Sequence, residues 1–296
     1  MKTLTGILAP VVTPFDARGE LALDALAANL TAHLGAGLHG VVVAGSTGEA
    51  PLLDESERRV VLERARAAVP SDRWLLGGVG AESTRQTVRR AREAAECGAD
   101  AVLVVAPHYY GAAAMTDRAL REHYGRVADE SPVPLVLYSI PKYMHFALPP
   151  EVVAELARHE NIVGIKDSSG DLALLERYLE AQSSRFAVLT GNGSTLREAL
   201  LRGARGGVLA VALFAPALAL DVYADPRGAA AEEAQRRLTP LAAHVVGRLG
   251  VAGVKAALDR VGLVGGPVRA PLLPLSSGEL AEVDALLRGA APAVAA

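Results

Sequence analysis

Among the 296 residues there is a single cysteine, Cys97, and only four of the 30 basic residues are lysines: Lys2, Lys142, Lys166 and Lys255. One cysteine excludes an internal disulfide and a thiolate zinc cluster, and fits a reducing compartment. Aromatic residues make up 4% of the chain and the formal net charge is -3, so neither a stacking platform nor a basic groove is available to hold nucleic acid. A polybasic patch for a membrane surface is lacking for the same reason. The longest uncharged apolar run, Gly206 to Leu220, is interrupted by Pro216 and falls short of the ~20 residues that a membrane span needs. The N-terminus carries one lysine and a brief apolar run that meets Pro10, Pro14 and Asp16, without a small-residue exit pattern. It reads as a first strand rather than a signal peptide, which places the protein in the cytoplasm. What the chain does have is apolar content, 51% of its residues, enough to bury a sizeable core. Cys97, in Ala-Ala-Glu-Cys-Gly-Ala at the end of a helical stretch, reads as a small buried hydrophobe.

Short apolar runs rich in β-branched residues alternate with longer amphipathic ones, eight times over. The predicted strands are Gly6–Val12, Gly40–Ala44, Trp74–Val79, Ala101–Ala106, Leu135–Tyr138, Ile162–Lys166, Ala187–Thr190 and Gly207–Ala212. Their near-continuous hydrophobicity is that of parallel strands covered on both faces. Between them, Asp54-x-x-Glu57 and Ser83-x-x-Gln86 form capping-box patterns, Pro149-Pro150 supplies a first-turn proline, and Gly98 and Gly203 stand where helices end. Eight strand–helix units predict a (β/α)8 TIM barrel. The rival doubly wound sheet lacks a Gly-x-Gly-x-x-Gly after the first strand. After Asp221 the strand signal stops, and Glu232–Leu249, Val251–Val261 and Gly278–Leu287 read as helices. The predicted organisation is therefore a barrel over residues 1–224 and a C-terminal helical extension over 225–296 packed on it as one structural unit. No repeat, linker or low-complexity tract stands out beyond the Ala-rich end, Gly289–Ala296.

In such barrels the chemistry gathers at the C-terminal ends of the strands. Strand two ends in Gly45-Ser46-Thr47-Gly48-Glu49, strand four runs into Pro107-His108-Tyr109-Tyr110, strand five ends at Tyr138-Ser139, and strand six at Lys166-Asp167-Ser168-Ser169. Lys166 closes a buried run, where desolvation disfavours an ammonium. A neutral amine attacks a ketone to form a Schiff base. A lone strand-end lysine can instead snorkel to solvent, but here Tyr138 ends the preceding strand, close enough for its hydroxyl to move protons at an imine. The Gly45–Gly48 turn offers two hydroxyls and backbone N–H groups suited to a carboxylate, or equally a loop that satisfies its own polar groups. Tyr109 and Tyr110 could be apolar packing, and Glu49 reads as structural. Of the seven histidines, only His108 and His145 fall near strand ends, and no His-Glu-x-x-His occurs, so no catalytic metal is expected. Gly191-Asn192-Gly193 and Gly206-Gly207 lie where phosphate loops occur in this fold. The stretch after strand eight, Leu213-Phe214-Ala215-Pro216, has neither glycine nor a basic residue, which argues against a phosphorylated substrate.

Taken together, Gly45-Ser46-Thr47-Gly48-Glu49, Pro107-His108-Tyr109-Tyr110, Leu137-Tyr138-Ser139-Ile140-Pro141 and Gly164-Ile165-Lys166-Asp167-Ser168-Ser169-Gly170-Asp171 resemble the dihydrodipicolinate synthase/N-acetylneuraminate lyase family of class I pyruvate aldolases over essentially the whole chain. The resemblance implies that Lys166 forms the imine with pyruvate and that Tyr138 is the general acid/base beside it. It implies that Ser46 relays a proton between Tyr138 and a second tyrosine, Tyr110, which reaches in from the neighbouring subunit of a tight dimer. Thr47 and the adjacent N–H groups, that of Gly48 among them, would hold the pyruvate carboxylate, and the carbonyl of Leu209 would line the pocket. Relatives are commonly homotetramers built as dimers of dimers, and the protonated imine acts as the electron sink, so no added cofactor is implied.

The second substrate is the open question. Members that make dihydrodipicolinate carry an arginine two residues after the strand-five proline, to bind the carboxylate of aspartate semialdehyde. Here that position is Tyr143, and the neighbouring Lys142 is no equivalent of a bidentate guanidinium. The chain is more similar to 4-hydroxy-2-oxoglutarate aldolases in Glu82-Ser83-Thr84, Val127-Ala128-Asp129, Asn161-Ile162-Val163-Gly164 and Gly265-Gly266-Pro267-Val268-Arg269-Ala270-Pro271. In that group hydroxyls matching Ser46 and Ser168 help bind the glyoxylate end, although an asparagine stands where this chain has Thr47. The expected reaction is cleavage of 4-hydroxy-2-oxoglutarate to pyruvate and glyoxylate. The alternatives are condensation of pyruvate with aspartate semialdehyde by a 4-hydroxy-tetrahydrodipicolinate synthase, and a non-catalytic barrel that binds an oxo acid.

Overall fold

The computed structural model describes residues 3–290, so Lys2 and the last part of the Ala-rich end, 291–296, lie outside the described residues. Eight parallel strands close into a barrel in chain order: β1 (Gly6–Pro10), β2 (Gly40–Val43), β3 (Trp74–Gly78), β4 (Ala101–Val105), β5 (Leu135–Ser139), β6 (Ile162–Asp167), β7 (Ala187–Thr190) and β8 (Gly206–Val208). β8 closes on β1 with Gly6 opposite Gly206 and Leu8 opposite Val208. Helices cover the outside while side chains fill the inside, which is why β1, β2, β3 and β7 are buried at every position. The expected TIM barrel is therefore the observed fold. One contiguous apolar core runs from Leu4 to Val283 and Ala290 in the last described helix.

Local sequence rules account for most boundaries. The helix Glu55–Ala68 starts on a full capping box, in which Asp54 accepts from the Glu57 N–H at 2.8 Å and Glu57 accepts from the Asp54 N–H at 3.0 Å. At Thr84–Glu96 only half of the box forms: Ser83 accepts from the Gln86 N–H at 3.1 Å, while the Gln86 side chain turns to Glu55. Gly98 and Gly203 take φ of 84° and 107°, the left-handed conformation that ends a helix at little cost to glycine.

The structure corrects three of the expected spans. β1 stops at Pro10, two residues short of Val12, and β8 holds only Gly206–Val208 before the chain winds into a 3-10 turn over Ala210–Leu213. An unbroken apolar run carries no period that separates strand from helix. The stretch read as one helix over Glu232–Leu249 is an α-helix over Ala229–Pro240 followed by wide π-type turns over Leu241–Arg248, while the predicted Val251–Val261 is the α-helix Gly250–Arg260. Pro240 has no N–H to continue the ladder and its ring crowds the carbonyl four residues back. The last described helix, Ser277–Ala290, contains the predicted Gly278–Leu287. Among the described residues no helix is long and apolar enough to cross a membrane.

One irregularity in the sheet bears on the site. Along β5 and β6, Leu135 pairs with Ile162 but Val136 pairs with Gly164, so Val163 is an extra residue in β6 with no partner of its own. After this bulge the register runs Leu137 to Ile165, Tyr138 to Lys166 and Ser139 to Asp167.

Candidate active site

Because Tyr138 and Lys166 are register partners, their side chains leave the sheet on the same face, toward the barrel interior. The Lys166 Nζ lies 4.1 Å from the centre of the Tyr138 ring, and both residues are 5% exposed. They border a cavity of about 280 Å³ whose wall includes Ser46, Thr47, Ser168 and Tyr143. Ser46, Tyr138, Ile140, Lys142 and Tyr143 also line a second cavity of about 1320 Å³, so the two are contiguous. Six of the residues singled out in the sequence thus meet around one space. Tyr110 lines only the larger cavity; it is 73% exposed and packs edge-to-face on Tyr109 at 5.2 Å.

Two others stand back from the wall. The Gly48 N–H donates to the Gly45 carbonyl at 3.0 Å, and its own carbonyl accepts from Thr13 Oγ1 at 2.7 Å, so Gly48 closes the turn that presents Ser46 and Thr47. Leu209 is fully buried with its carbonyl accepting from the Ala212 N–H at 3.2 Å, and the wall there is made by Val208, Ala210 and Val211. The turn is flanked by two non-glycine residues in the left-handed region, Ala44 at φ 51° and Glu49 at φ 57°. Such conformations persist where the surroundings over-determine them, and they cluster at functional sites.

Sequence reasoning missed several contributors. Gly191, weighed only as part of a phosphate loop, packs directly against the site: a Cβ there would lie 1.9 Å from Ser168 Oγ and 3.0 Å from Lys166 Cε. Lys142 donates to the Gly247 carbonyl at 2.7 Å and so ties the loop after β5 to the π-type turns. Ala242, Val246, Gly250, Val251 and Val254 bring the C-terminal helices onto the wall of the smaller cavity. These are apolar or small residues with no chemical signature, and only Pro240 marked the departure from a regular helix that carries Ala242 and Val246 there.

Behind Lys166, Asp167 is 2% exposed, and burial pushes its carboxyl up to about 6, against hydrogen bonds from the Ser169 N–H at 3.1 Å and Ser169 Oγ at 2.8 Å. With the folded pKa above the unfolded value of 3.8, the unfolded chain releases this proton first, so the group's effect on stability becomes less favourable as pH rises from about 4 to 6. One pKa unit is worth ~1.4 kcal/mol, so the full effect is on the order of 3 kcal/mol. Asp167→Asn is therefore expected to gain unfolding free energy relative to the parent as pH rises from about 4 to 7. Urea titrations across that range measure it, and a difference that does not change with pH would count against the assignment. Partial burial, with the neighbouring Tyr138 phenol adding to it, also raises the Tyr143 pKa.

A buried amine, a phenol against it and hydroxyls around a small cavity can together add the amine to a carbonyl and move the protons that the addition requires. Among the described residues no three His, Cys, Asp or Glu side chains converge as metal ligands would.

Comparison with known proteins identifies the family and the fold. The Dihydrodipicolinate synthetase family matches residues 3–290. A 4-hydroxy-tetrahydrodipicolinate synthase of Methanothrix thermoacetophila is 35% identical over 286 residues, covering 95% of each chain. An uncharacterised DapA-like lyase of Halobacterium salinarum is 39% identical over 285 residues, 95% of this chain and 92% of the other. Among solved structures, the chloride-inhibited dihydrodipicolinate synthase of Acinetobacter baumannii complexed with pyruvate superposes with a TM-score of 0.92 at 29% identity, over 97% of this chain and 99% of that one. Dihydrodipicolinate synthase of Thermotoga maritima gives 0.91 at 29% identity, over 98% and 99%.

Proposed function

This chain belongs to the dihydrodipicolinate synthetase family, whose members are class I aldolases and lyases, and from that premise we propose that it makes or breaks a carbon–carbon bond of pyruvate held as an imine on Lys166. The observation that carries the reading is the cross-strand pair, with the Lys166 amine 4.1 Å over the Tyr138 ring in a cavity of about 280 Å³. In this reading the amine adds to the pyruvate ketone, water leaves, and Tyr138 gives and takes the protons at the oxygen and nitrogen. The protonated imine then accepts the electron pair released when the methyl group loses a proton or a carbon–carbon bond breaks. The Thr47 hydroxyl and N–H groups of its turn hold the carboxylate, and Ser46 passes protons between Tyr138 and Tyr110. The exposure of Tyr110 on the larger cavity supports its reaching into the site of a neighbouring subunit, in a tight dimer that pairs again into a homotetramer.

For the acceptor, the names of the curated relatives support condensation of pyruvate with aspartate semialdehyde, the reaction of a 4-hydroxy-tetrahydrodipicolinate synthase. One observation favours a second reading, cleavage of 4-hydroxy-2-oxoglutarate to pyruvate and glyoxylate. Tyr143, a phenol 41% exposed on both cavities, occupies the place where a guanidinium would clamp the semialdehyde carboxylate. That Ser46 and Ser168 both line the smaller cavity supports their meeting a glyoxylate end in this reading.

Parallel assays of the two reactions separate the readings. The first predicts the larger kcat/KM with pyruvate and aspartate semialdehyde, and the second predicts the larger value for 4-hydroxy-2-oxoglutarate. Sedimentation of the same preparation gives the oligomeric state, and a monomer with full activity would remove Tyr110 from the mechanism.

A further inference from the structure

Glu49 follows directly on the Ser46-Thr47-Gly48 turn, and its side chain is buried at 2% exposure for the residue. The groups that meet it come from the far end of the chain. Lys255, on the helix Gly250–Arg260, is 1% exposed; its Nζ lies 2.5 Å from Glu49 Oε1, donates to the Pro267 carbonyl at 2.7 Å, and sits 4.5 Å from the centre of the Phe15 ring. The backbone N–H of Arg269 donates to Glu49 Oε2 at 2.8 Å. The Arg269 guanidinium packs 4.1 Å from the centre of the same Phe15 ring and donates to both oxygens of Glu57 at 2.6 Å, to the Leu52 carbonyl at 2.8 Å and to the Gly19 carbonyl at 2.6 Å. Both oxygens of the one carboxylate that terminates the turn are thus held by residues from the last part of the chain.

A buried ion pair is weak evidence for stability, since desolvating two charges often outweighs their attraction and apolar replacements are often tolerated. Its better attested use is to select one arrangement among several. Here the arrangement selected is a turn that holds Ala44 and Glu49 in left-handed conformations and sets Ser46 and Thr47 on the wall of the cavity. We infer that Lys255 and Glu49 are positioning residues for substrate: the pair sets the depth of the Ser46–Thr47 turn, so the C-terminal helices govern how tightly the carboxylate of pyruvate is held. The inference rests on the imine reading above.

The test uses the full chain, pyruvate and borohydride, following reductive alkylation of Lys166 by mass spectrometry as pyruvate is raised. For Lys255→Met, half-saturation is expected to move to roughly 10-fold more pyruvate or beyond, while the trapping rate at saturation falls much less, on the order of threefold or under. Because that variant leaves a buried carboxylate alone and can lose its fold, the double variant Lys255→Met, Glu49→Gln removes both charges and carries the decisive measurement. It is expected to melt near the parent temperature and still to need the higher pyruvate concentration. A folded double variant with parental half-saturation would assign the pair to stability alone and overturn the inference. Failure of the parent chain to be trapped at all would instead overturn the imine reading.

Discussion

Incubating the chain with pyruvate and borohydride is expected to leave a carboxyethyl group on Lys166 and on no other lysine of the folded protein. The other described lysines are disposed otherwise. Lys142 is exposed, with its ammonium donating to the Gly247 carbonyl. Lys255 is ion-paired with Glu49 and lies on the wall of neither cavity. Lys142 also lines the smaller cavity, but its amine is 5.6 Å from the Tyr143 ring centre, whereas Lys166 is buried with its amine 4.1 Å from the Tyr138 ring, where a ketone of pyruvate size can reach it. Removing a covalent nucleophile takes away a step that the neighbouring groups cannot supply, so Lys166→Ala is expected to lower kcat/KM by at least ~10⁴-fold, whichever acceptor is used. Label found on Lys142 or Lys255 instead, or activity retained in Lys166→Ala, would remove the imine from the mechanism.

The second large effect is expected from adding a single methyl group. In Gly191→Ala the new Cβ meets Ser168 Oγ at 1.9 Å and both Ser168 Cβ and Lys166 Cε at 3.0 Å. The Ser168 hydroxyl can rotate away, but Ser168 Cβ is fixed to the backbone, so relief also requires the end of the Lys166 side chain to move. A displacement on the order of 1 Å at a reacting atom costs about 10²-fold in rate. The clash is with side-chain atoms beside a cavity, so the stability cost should stay near the low end of the ~1–3 kcal/mol typical of overpacking. The expected pattern is therefore a kcat lower by roughly 10²-fold with a melting temperature lowered by only a few degrees. Thermal melts and steady-state rates on one preparation check both halves, and an unchanged kcat would show that the amine does not depend on the glycine.

The eight strands were legible because a parallel barrel demands residues that are apolar on both faces, and few other folds place eight such runs between amphipathic helices. Lys166 and Tyr138 were legible for a related reason: a titratable side chain at the end of a buried run is costly unless it is used. The site's apolar wall was not. Ala242, Val246 and Val254 look like any helix interior, and their arrival over the cavity depends on how the chain leaves Pro240. Glu49 was read as structural from its lack of a partner carboxylate, and Lys255 as one more residue of the helical extension. Their pairing joins positions some two hundred residues apart, and no local pattern announces it.

The extra residue in β6 has a consequence for how this enzyme could be lost. Side chains alternate faces along a strand, and partners in adjacent parallel strands share a face. Leu135 and Ile162 begin as partners; Tyr138 is then three residues along its strand and Lys166 four along the other. Were Val163 paired in the ladder instead of bulged out, a lysine four positions on would keep the parity of Ile162 while Tyr138 has the opposite one, and the amine would leave the barrel on the helix side. A slip of the ladder by that one residue would therefore spare every catalytic residue and every motif along the chain, yet turn the nucleophile away from its acid/base. The reaction depends on a count of residues as much as on their kinds.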